Sequence, residues 1–288
     1  MDLANWRKHI NWVVKTEGQW MGIADENGYP LYELLGKLTF PEAHLTPSSA
    51  EATIQLTPGH PAIADLIGDN LGETDDEGRL TPIAGKTRLL LLERRGARRA
   101  ATVTHVIVRG ENAPTEATIH GVDLLDGLEC WPAPSIPVEW ERAEWVDLAK
   151  DESGVTYEKP RRLARLQFTT KLTLYREEGP AKTVIRNVIQ DSFNAVNAAM
   201  EWTTPHAVVD YSGGEDTTPH VQIRINDDPV LATVSETARQ CGLAITVSLW
   251  WPGDQPITVR TDQEGTTTTE RTWNHPIQIV HVEEFKEG

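Results

Sequence analysis

The residues best able to do acid–base or metal chemistry in this sequence are its nine histidines. They are His9, His44, His60, His105, His120, His206, His220, His275 and His281. No two of them have the His-Glu-x-x-His spacing, which puts two ring nitrogens on one helical face to hold zinc. The chain also lacks the Gly-x-Ser-x-Gly turn that exposes a nucleophilic serine. We therefore expect no catalytic residue, no metal and no cofactor.

The tripeptide Gly85-Lys86-Thr87 is similar to the end of a phosphate-binding loop, but it fails two tests. Such a loop has another glycine five residues before the glycine that precedes the lysine, and Leu80 stands there. The residues that follow predict a strand, so no helix N-terminus would face a phosphate. The sequence therefore excludes a nucleotide site of this kind.

Carboxylates are abundant, with 43 Asp and Glu residues. Two of them at the right separation could cleave a glycosidic bond, and that reading stays open because no pair stands out from the others. The acidic stretch 69–85 lacks the twelve-residue calcium-loop pattern, so we expect a solvated loop there.

The formal net charge of −16 argues against a protein that grips nucleic-acid phosphates, which needs lysine and arginine. It does not argue against DNA as a passenger, because an acidic wall repels DNA and lets it slide. Cys130 and Cys241 are far apart in sequence, and we expect two reduced, buried, small apolar residues. No signal peptide and no membrane-spanning segment is predicted, because no apolar run approaches the roughly 18 residues that a span requires.

Most of the elements that would position these residues are predicted as strands. We expect strands at 9–15, 31–40 and 50–56, and the last alternates apolar and polar residues as a half-buried strand does. Residues 89–92 and 102–108 predict a hairpin, and its turn at 94–99 carries four arginines. Those arginines are a charge anomaly in an acidic chain. They are either a solvated tip or a contact with an acidic neighbouring subunit.

The second half adds helices. Residues 131–160 contain a proline run followed by a charged stretch, which predicts a connector, and 165–175 predict a strand. Apolar residues at helical spacing predict one helix after Gly179-Pro180, and a second helix is expected over 229–241. The predicted fold is mainly β with an α+β part. Residues 1–130 are predicted to be all β and to form an antiparallel β-barrel-like ring domain. The connector follows at 131–160, then a smaller α+β domain with two helices at 161–250, and C-terminal strands at 251–288 that could return to the barrel.

The order of short motifs along the chain resembles the minor tail proteins of siphophages that infect actinobacteria, of the tail-hub type. Each motif is weak by itself, and their order carries the resemblance. The matching pieces are Trp6, Trp12 and Trp20, Gly36-Lys37-Leu38-Thr39-Phe40-Pro41, Ser49-Ala50-Glu51-Ala52-Thr53-Ile54, His60-Pro61, Gly121-Val122-Asp123-Leu124-Leu125, Cys130-Trp131-Pro132, Gly179-Pro180-Ala181-Lys182-Thr183-Val184-Ile185, Pro205-His206-Ala207-Val208-Val209 and Gly242-Leu243-Ala244-Ile245-Thr246-Val247.

This resemblance implies a structural virion protein without enzymatic activity, a hub or adaptor that joins the distal tail tube to the tail tip. It implies a homotrimeric ring around the DNA exit channel, in which phage DNA is only passing cargo. The implied partners are further copies of the chain, the distal tail protein, the tape-measure protein and other tail-tip proteins. The implied location is the tail tip of the virion, after synthesis in the host cytoplasm. This chain is shorter than many hubs and leaves little room for a second barrel.

The candidate subunit interface consists of Arg94, Arg95, Arg98, Arg99 and Trp131. Two other functions stay open. One is a tail-associated enzyme that degrades the cell wall with an Asp/Glu pair. The other is a carbohydrate-binding module for host recognition that uses exposed tryptophans such as Trp250-Trp251. Adjacent residues of a strand point to opposite faces, so at most one of these two is expected to be exposed.

Overall fold

A computed structural model describes residues 2–68, 73–74, 77, 80–81, 86–165 and 175–285. The chain forms two compact units. The first comprises Met1–Asp126, Val247–Pro252 and Trp273–Gln278, and the second comprises Gly127–Thr246, Gly253–Thr272 and Ile279–Gly288. The four-part division expected from the sequence stays a prediction, as does the return of the C-terminal strands to a barrel.

The first unit begins with a helix where a strand was predicted. Helix α1 spans Leu3–Glu17, so the strand expected over 9–15 is wrong. The Asp2 side chain accepts a hydrogen bond from the Asn5 backbone N–H, and Gly18 ends the helix at φ 88°, a conformation that suits glycine. Trp6, Ile10 and Val13 recur at helical spacing and are buried. The expectation that the first 130 residues are all β is therefore wrong as well.

Most strands of this unit belong to one large sheet. They are β1 (Gln19–Ala24), β2 (Pro30–Glu33), β3 (Gly36–Thr39), β4 (Ser49–Gln55), β5 (Glu73–Thr74), β6 (Leu80–Thr81), β7 (Leu89–Arg94), β8 (Ala97–Arg109) and β9 (Glu116–Asp123). A π-helical turn covers Ile63–Ile67, and a 3-10 helix covers Leu124–Glu129. Seven strands pair in the order β2-β1-β7-β8-β9-β4-β3, while β5 and β6 form a separate pair. No closed barrel is found among the described residues.

The alternation of apolar and polar residues predicted β4 correctly, whereas the strand predicted over 31–40 is only partly correct. The inward positions of β4 (Ala50, Ala52 and Ile54) are buried, which confirms the half-buried strand. The single strand predicted over 31–40 is instead the two strands β2 and β3. They are separated by Leu34, which is buried, and Leu35, which is exposed.

The second unit contains more elements than its sequence predicted. Helix α2 (Pro137–Glu141) is followed by β10 (Glu144–Lys150), β11 (Thr156–Arg165) and β12 (Tyr175–Pro180). Next come α3 (Ala181–Ala199), β13 (Ala207–Val209), β14 (His220–Ile225), α4 (Val230–Gln240), β15 (Leu243–Trp250), β16 (Ile257–Arg260), β17 (Thr268–Arg271) and β18 (Ile277–Glu284). The strand groups are β10-β11, β12-β14, β13-β18-β15 and β16-β17.

Two predictions for this unit need correction or comment. The stretch 131–160, predicted as a connector, contains β10 and the first half of β11, which pair as an antiparallel hairpin. The strand predicted over 165–175 covers residues 166–174, which lie outside the described residues. The helices predicted after Gly179-Pro180 and over 229–241 are confirmed as α3 and α4, and the short α2 makes a third helix.

The chain is thus mainly β with antiparallel sheets, as predicted at that level. Cys130 is exposed and Cys241 is partly exposed, so their predicted burial is wrong, although both thiols are free. Within the described part of the chain, no helix is both long and apolar enough to cross a membrane.

Candidate functional site

The arginine-rich turn lies at the end of the β7–β8 hairpin in the first unit. Arg94 pairs with Ala97 across the two strands, so the turn itself is only Arg95 and Gly96. Gly96 has φ 78°, which glycine adopts without strain. Arg94 and Arg95 are exposed, and the Arg94 guanidinium donates to Gln19 Oε1 at 3.1 Å. Both side chains are therefore accessible to another protein chain.

The other two arginines of the turn, Arg98 and Arg99, contact residues of the first unit itself. Arg98 Nε lies 2.6 Å from Glu93 Oε2, and its guanidinium stacks 3.7 Å from the ring centre of the buried Trp251. Arg99 donates to the carbonyl oxygen of Phe40 at 3.1 Å. Both side chains therefore hold strands and loops of the first unit together, and the place of Arg98 and Arg99 in a subunit interface stays a prediction.

Removing the Arg98 guanidinium is expected to destabilise the first unit. An Arg98→Ala variant should lower the free energy of unfolding by about 1–3 kcal/mol, because the mostly buried Arg98–Glu93 salt bridge and the Arg98–Trp251 cation–π contact are lost. The matched change Arg95→Ala removes an exposed guanidinium and should stay within about 0.5 kcal/mol of wild type. Urea denaturation measures both, and equal effects of the two changes would contradict this division of roles.

Trp131 lies in the second unit, whereas the four arginines of the turn lie in the first. Its ring meets Phe193 edge-to-face with 4.8 Å between centroids, and Trp202 is 6.4 Å away. Its carbonyl oxygen accepts a hydrogen bond from Val230 N at 2.8 Å, at the start of α4. Trp131 is half-buried and acts as a packing residue of the second unit, and its place in a subunit interface stays a prediction.

A surface that the sequence reasoning missed lies at the free edge of the large sheet. We call it the edge patch, and it consists of Trp12, Leu31 and Leu35, which are 60%, 41% and 74% exposed. His9 of α1 connects this helix to the edge strand β2, because its Nε2 lies 2.8 Å from Glu33 Oε2. An edge strand has unpaired backbone groups, and exposed apolar residues beside it favour contact with another chain.

The sequence contains the information needed to predict the edge patch, but the assignment of residues 9–15 to a strand obscured it. If residues 9–15 formed a strand, Trp12 would share a face with Ile10. On a helix, Ile10 and Val13 face inward and Trp12 points away from them. Recognition of the Asp2 cap would have placed Trp12 at the surface.

The second unit contains a buried polar network on α3. This helix is buried on nearly all sides, including its polar residues Asn187, Gln190 and Asp191. The Asp191 carboxylate forms a salt bridge with Arg260, and both side chains are at most one-tenth exposed. Arg260 also donates to Gln263 O at 2.8 Å and to Asn187 Oδ1 at 3.2 Å. Burial raises the pKa of Asp191, while the positive charge of Arg260 acts in the opposite direction.

A second polar cluster lies further toward the start of the same helix. Arg186 donates to the carbonyl oxygens of Ser212 at 2.8 Å and Val282 at 3.1 Å. Asp210 accepts from Ser212 and lies 3.3 Å from His281 Nδ1. Burial by itself would raise the pKa of Asp210, but hydrogen bonds from His281 and Ser212 outweigh it and lower that pKa. These contacts fix α3 against β18 and the 210–212 loop, and they do not place an activated nucleophile.

The first turn of α3 is capped by a loop rather than by its own preceding residue. Pro180 stands at the N-cap and has no side-chain acceptor to offer. Instead, the Asp216 carboxylate accepts from Thr183 N at 2.8 Å, and Thr218 Oγ1 accepts from Lys182 N at 3.0 Å. Burial would raise the pKa of Asp216, but hydrogen bonds from Thr183 and Thr218 outweigh it and lower that pKa.

The lowered pKa of Asp216 gives a pH-dependent prediction. The Asp216→Ala variant should lose about 1–2 kcal/mol of stability at about pH 7, because α3 loses a cap. A carboxyl whose folded pKa lies below its unfolded value stabilises the fold above that unfolded value, about 3.9. The contribution disappears as the pH falls through the folded pKa, so the difference between variant and wild type should shrink below about pH 4.

Urea denaturation at neutral and acidic pH measures this difference. The neighbouring Glu215→Ala is the control, since Glu215 is exposed and does not cap the helix. A difference for Asp216→Ala that stays constant down to acidic pH would contradict the capping role.

The tryptophan pair considered for glycan recognition is not exposed. Trp250 and Trp251 are 4% and 1% exposed, and Trp251 Nε1 donates to Gly28 O at 3.0 Å. The prediction of a carbohydrate-binding surface built on these two residues is therefore wrong.

Among the described residues, no three His, Cys, Asp or Glu side chains come together in a group that could hold a metal ion. In comparisons with known proteins, no family model matches the chain and no curated protein matches it.

Proposed function

We propose that this chain is a structural protein of a phage tail tip, a hub that joins the distal tail tube to the tip around the DNA exit channel. In this proposal three copies form a ring, the distal tail protein and the tape-measure protein are neighbours, and DNA passes through without being bound. The chain contributes surfaces and no catalysis.

The observation that carries the proposal is the connection between the two outermost strands of the large sheet. Strands β2 and β3 lie at opposite ends of the seven-stranded order, yet only Leu34 and Leu35 separate them in the chain. Three Cα–Cα steps join Glu33 to Gly36, which span roughly 11 Å at most. In a flat sheet the outermost of seven strands would lie about 29 Å apart. A barrel-like curl of this sheet satisfies both facts, and we propose it as the ring domain of the hub.

The burial pattern supports such a curl. Residues from five strands of the sheet (Ile23, Ile54, Leu90, Ala101 and Ile119) belong to one buried cluster, together with Leu34 of the β2–β3 connection. A sheet that wraps around its own inner face brings side chains from distant strands together in this way.

Some of the motifs that resemble tail-hub proteins occupy adjoining places in the first unit. Three of them fall on β3, β4 and the end of β9, which are neighbours in the sheet. A Cβ added at Gly36 would lie 2.1 Å from Thr53 O, so this motif glycine permits the close approach of β3 to β4. These three motifs of the resemblance therefore consist of residues that build the sheet, which supports the proposal that the sheet is the ring domain.

The edge patch and the exposed Arg94 and Arg95 are the surfaces we assign to contacts between copies. Apolar side chains beside a free strand edge suit an interface between like chains, and arginines suit a contact with an acidic neighbour. A net charge of −16 also suits a channel wall that does not hold DNA.

The mass of the purified protein in solution and its presence in purified phage particles test the proposal. We expect a mass of three chains and a band from this chain in the particles. A protein that is strictly monomeric and absent from purified particles would contradict the proposal.

A further inference from the structure

A cleft of about 420 Å³ opens along α3 in the second unit, bounded by α2 on one side and by the β16–β17 hairpin on the other. We propose that this cleft, here called the α3 cleft, binds a neutral saccharide. Its volume falls within the about 300–1,000 Å³ typical of small-molecule sites. The residues that carry the argument are Glu141, Gln190, Asp191, Asn194, Asn197 and Arg260.

Side-chain amides supply the recognition groups. Asn194 and Asn197 line the cleft on successive turns of α3. Gln190 Nε2 donates to Asn194 Oδ1 at 2.9 Å, which fixes the orientation of the Asn194 amide and leaves its N–H groups for another acceptor. Asn197 Oδ1 is buried and has no hydrogen-bond partner among the described residues. A hydroxyl donor from a ligand would satisfy this oxygen, and an unmet buried acceptor otherwise costs free energy.

The charges of the cleft disfavour an anionic ligand. The guanidinium of Arg260 is already neutralised by Asp191 and also binds Gln263 O. Glu141 and Asp262 add carboxylates to the lining and Arg271 adds a second guanidinium, so the three carboxylates exceed the two guanidiniums by one charge. A phosphate or carboxylate ligand would therefore meet net negative charge, so a nucleotide or an acidic peptide does not fit.

Part of the remaining lining is apolar and can pack against the C–H face of a sugar ring, beside the polar Thr261 and Gln263. Val138 is 42% exposed, and Pro137, Val208 and Val259 border the same cleft. A saccharide combines such C–H faces with vicinal hydroxyls, which both donate and accept hydrogen bonds. Carboxylates accept those hydrogen bonds and amides do both, so the lining complements a neutral polyhydroxylated ligand. A cationic peptide is the competing ligand, and titration with a lysine tripeptide distinguishes the two.

Titration of the full-length protein with two neutral trisaccharides, maltotriose and chitotriose, tests the proposal. We expect at least one to bind saturably with a Kd of about 1 mM or below, as observed by ¹H–¹⁵N NMR. The shifted side-chain amide signals should be those of Gln190, Asn194 and Asn197. A lysine tripeptide serves as the cationic probe and should not shift them.

The variant Asn194→Ala should weaken binding about tenfold, since one or two hydrogen bonds to the ligand are lost. Asn194 is exposed, so its removal should leave the fold intact. The matched control Gln240→Ala removes an exposed amide of α4 and should leave the affinity unchanged. Absence of saturable binding for both trisaccharides, shifts confined to other amides, or tighter binding of the lysine tripeptide would each overturn the proposal. The mass in solution tests the three-copy ring independently of saccharide binding. A failure of one proposal can therefore be distinguished from a failure of the other.

Discussion

Replacing Arg260 with methionine is expected to lower the free energy of unfolding of the second unit by about 3–5 kcal/mol. The change leaves the Asp191 carboxylate buried against α3 without its cation, and it also removes hydrogen bonds to Asn187 and Gln263. An uncompensated buried charge costs far more than the loss of an exposed ion pair. Hydrogen exchange of the α3 amides, which report on this unit, measures the loss.

The double variant Asp191→Leu/Arg260→Met separates the ion pair from simple packing. Because it removes both charges and keeps apolar volume, it should be more stable than Arg260→Met alone. The matched control is Arg239→Met on α4, whose guanidinium pairs with Glu236 while both side chains are 63% exposed. That control should stay within about 0.5 kcal/mol of wild type. An Arg260→Met variant as stable as this control would refute the role of the buried pair.

Charging the edge patch is expected to dissociate the ring while leaving each chain folded. A Trp12→Glu/Leu35→Glu variant places two carboxylates on apolar surface that we assign to the contact between copies. Both side chains are mostly exposed in the single chain, so the fold should not depend on them. Sedimentation should show a shift from the mass of three chains to that of one, with the association constant lowered at least tenfold.

The control for this change lies in the other unit. Leu163→Glu alters a side chain that is 46% exposed on the β10–β11 hairpin, and it should leave the mass unchanged. If the edge-patch variant keeps the wild-type mass, the copies meet through another surface. If Leu163→Glu dissociates the ring, the hairpin takes the role that we assign to the edge patch.

Local patterns predicted those elements whose stability is decided locally. The alternation in β4 and the apolar spacing of α3 are both properties of short segments, and the structure confirms both. Helix α1 was missed because a run of apolar and polar residues over seven positions fits a strand as well as a helix. Its cap at Asp2 and the more distant Trp6 decide between them.

The β10–β11 hairpin was missed for a different reason. Its residues are largely exposed, so its sequence has no alternation between buried and solvated positions, and backbone pairing alone defines it. Predictions that rest on burial cannot detect a strand pair whose two faces are both largely exposed.

The candidate surfaces could be predicted only in part, because long-range contacts decide which side chains are free. The sequence places four arginines at one turn, but it does not indicate that the Arg98 side chain forms a salt bridge with Glu93 and stacks on Trp251. Asp191 and Arg260 are likewise 69 residues apart in the chain. The α3 cleft and the buried ion pair therefore became visible only with the fold.

The number of copies of this chain around the tail axis tests the central claim most directly. A reconstruction of the tail tip of purified particles, with the chain located in it, supplies that number. The proposal predicts three copies in a ring that surrounds the channel. A single central copy, six copies, or absence of the chain from the tip would contradict it.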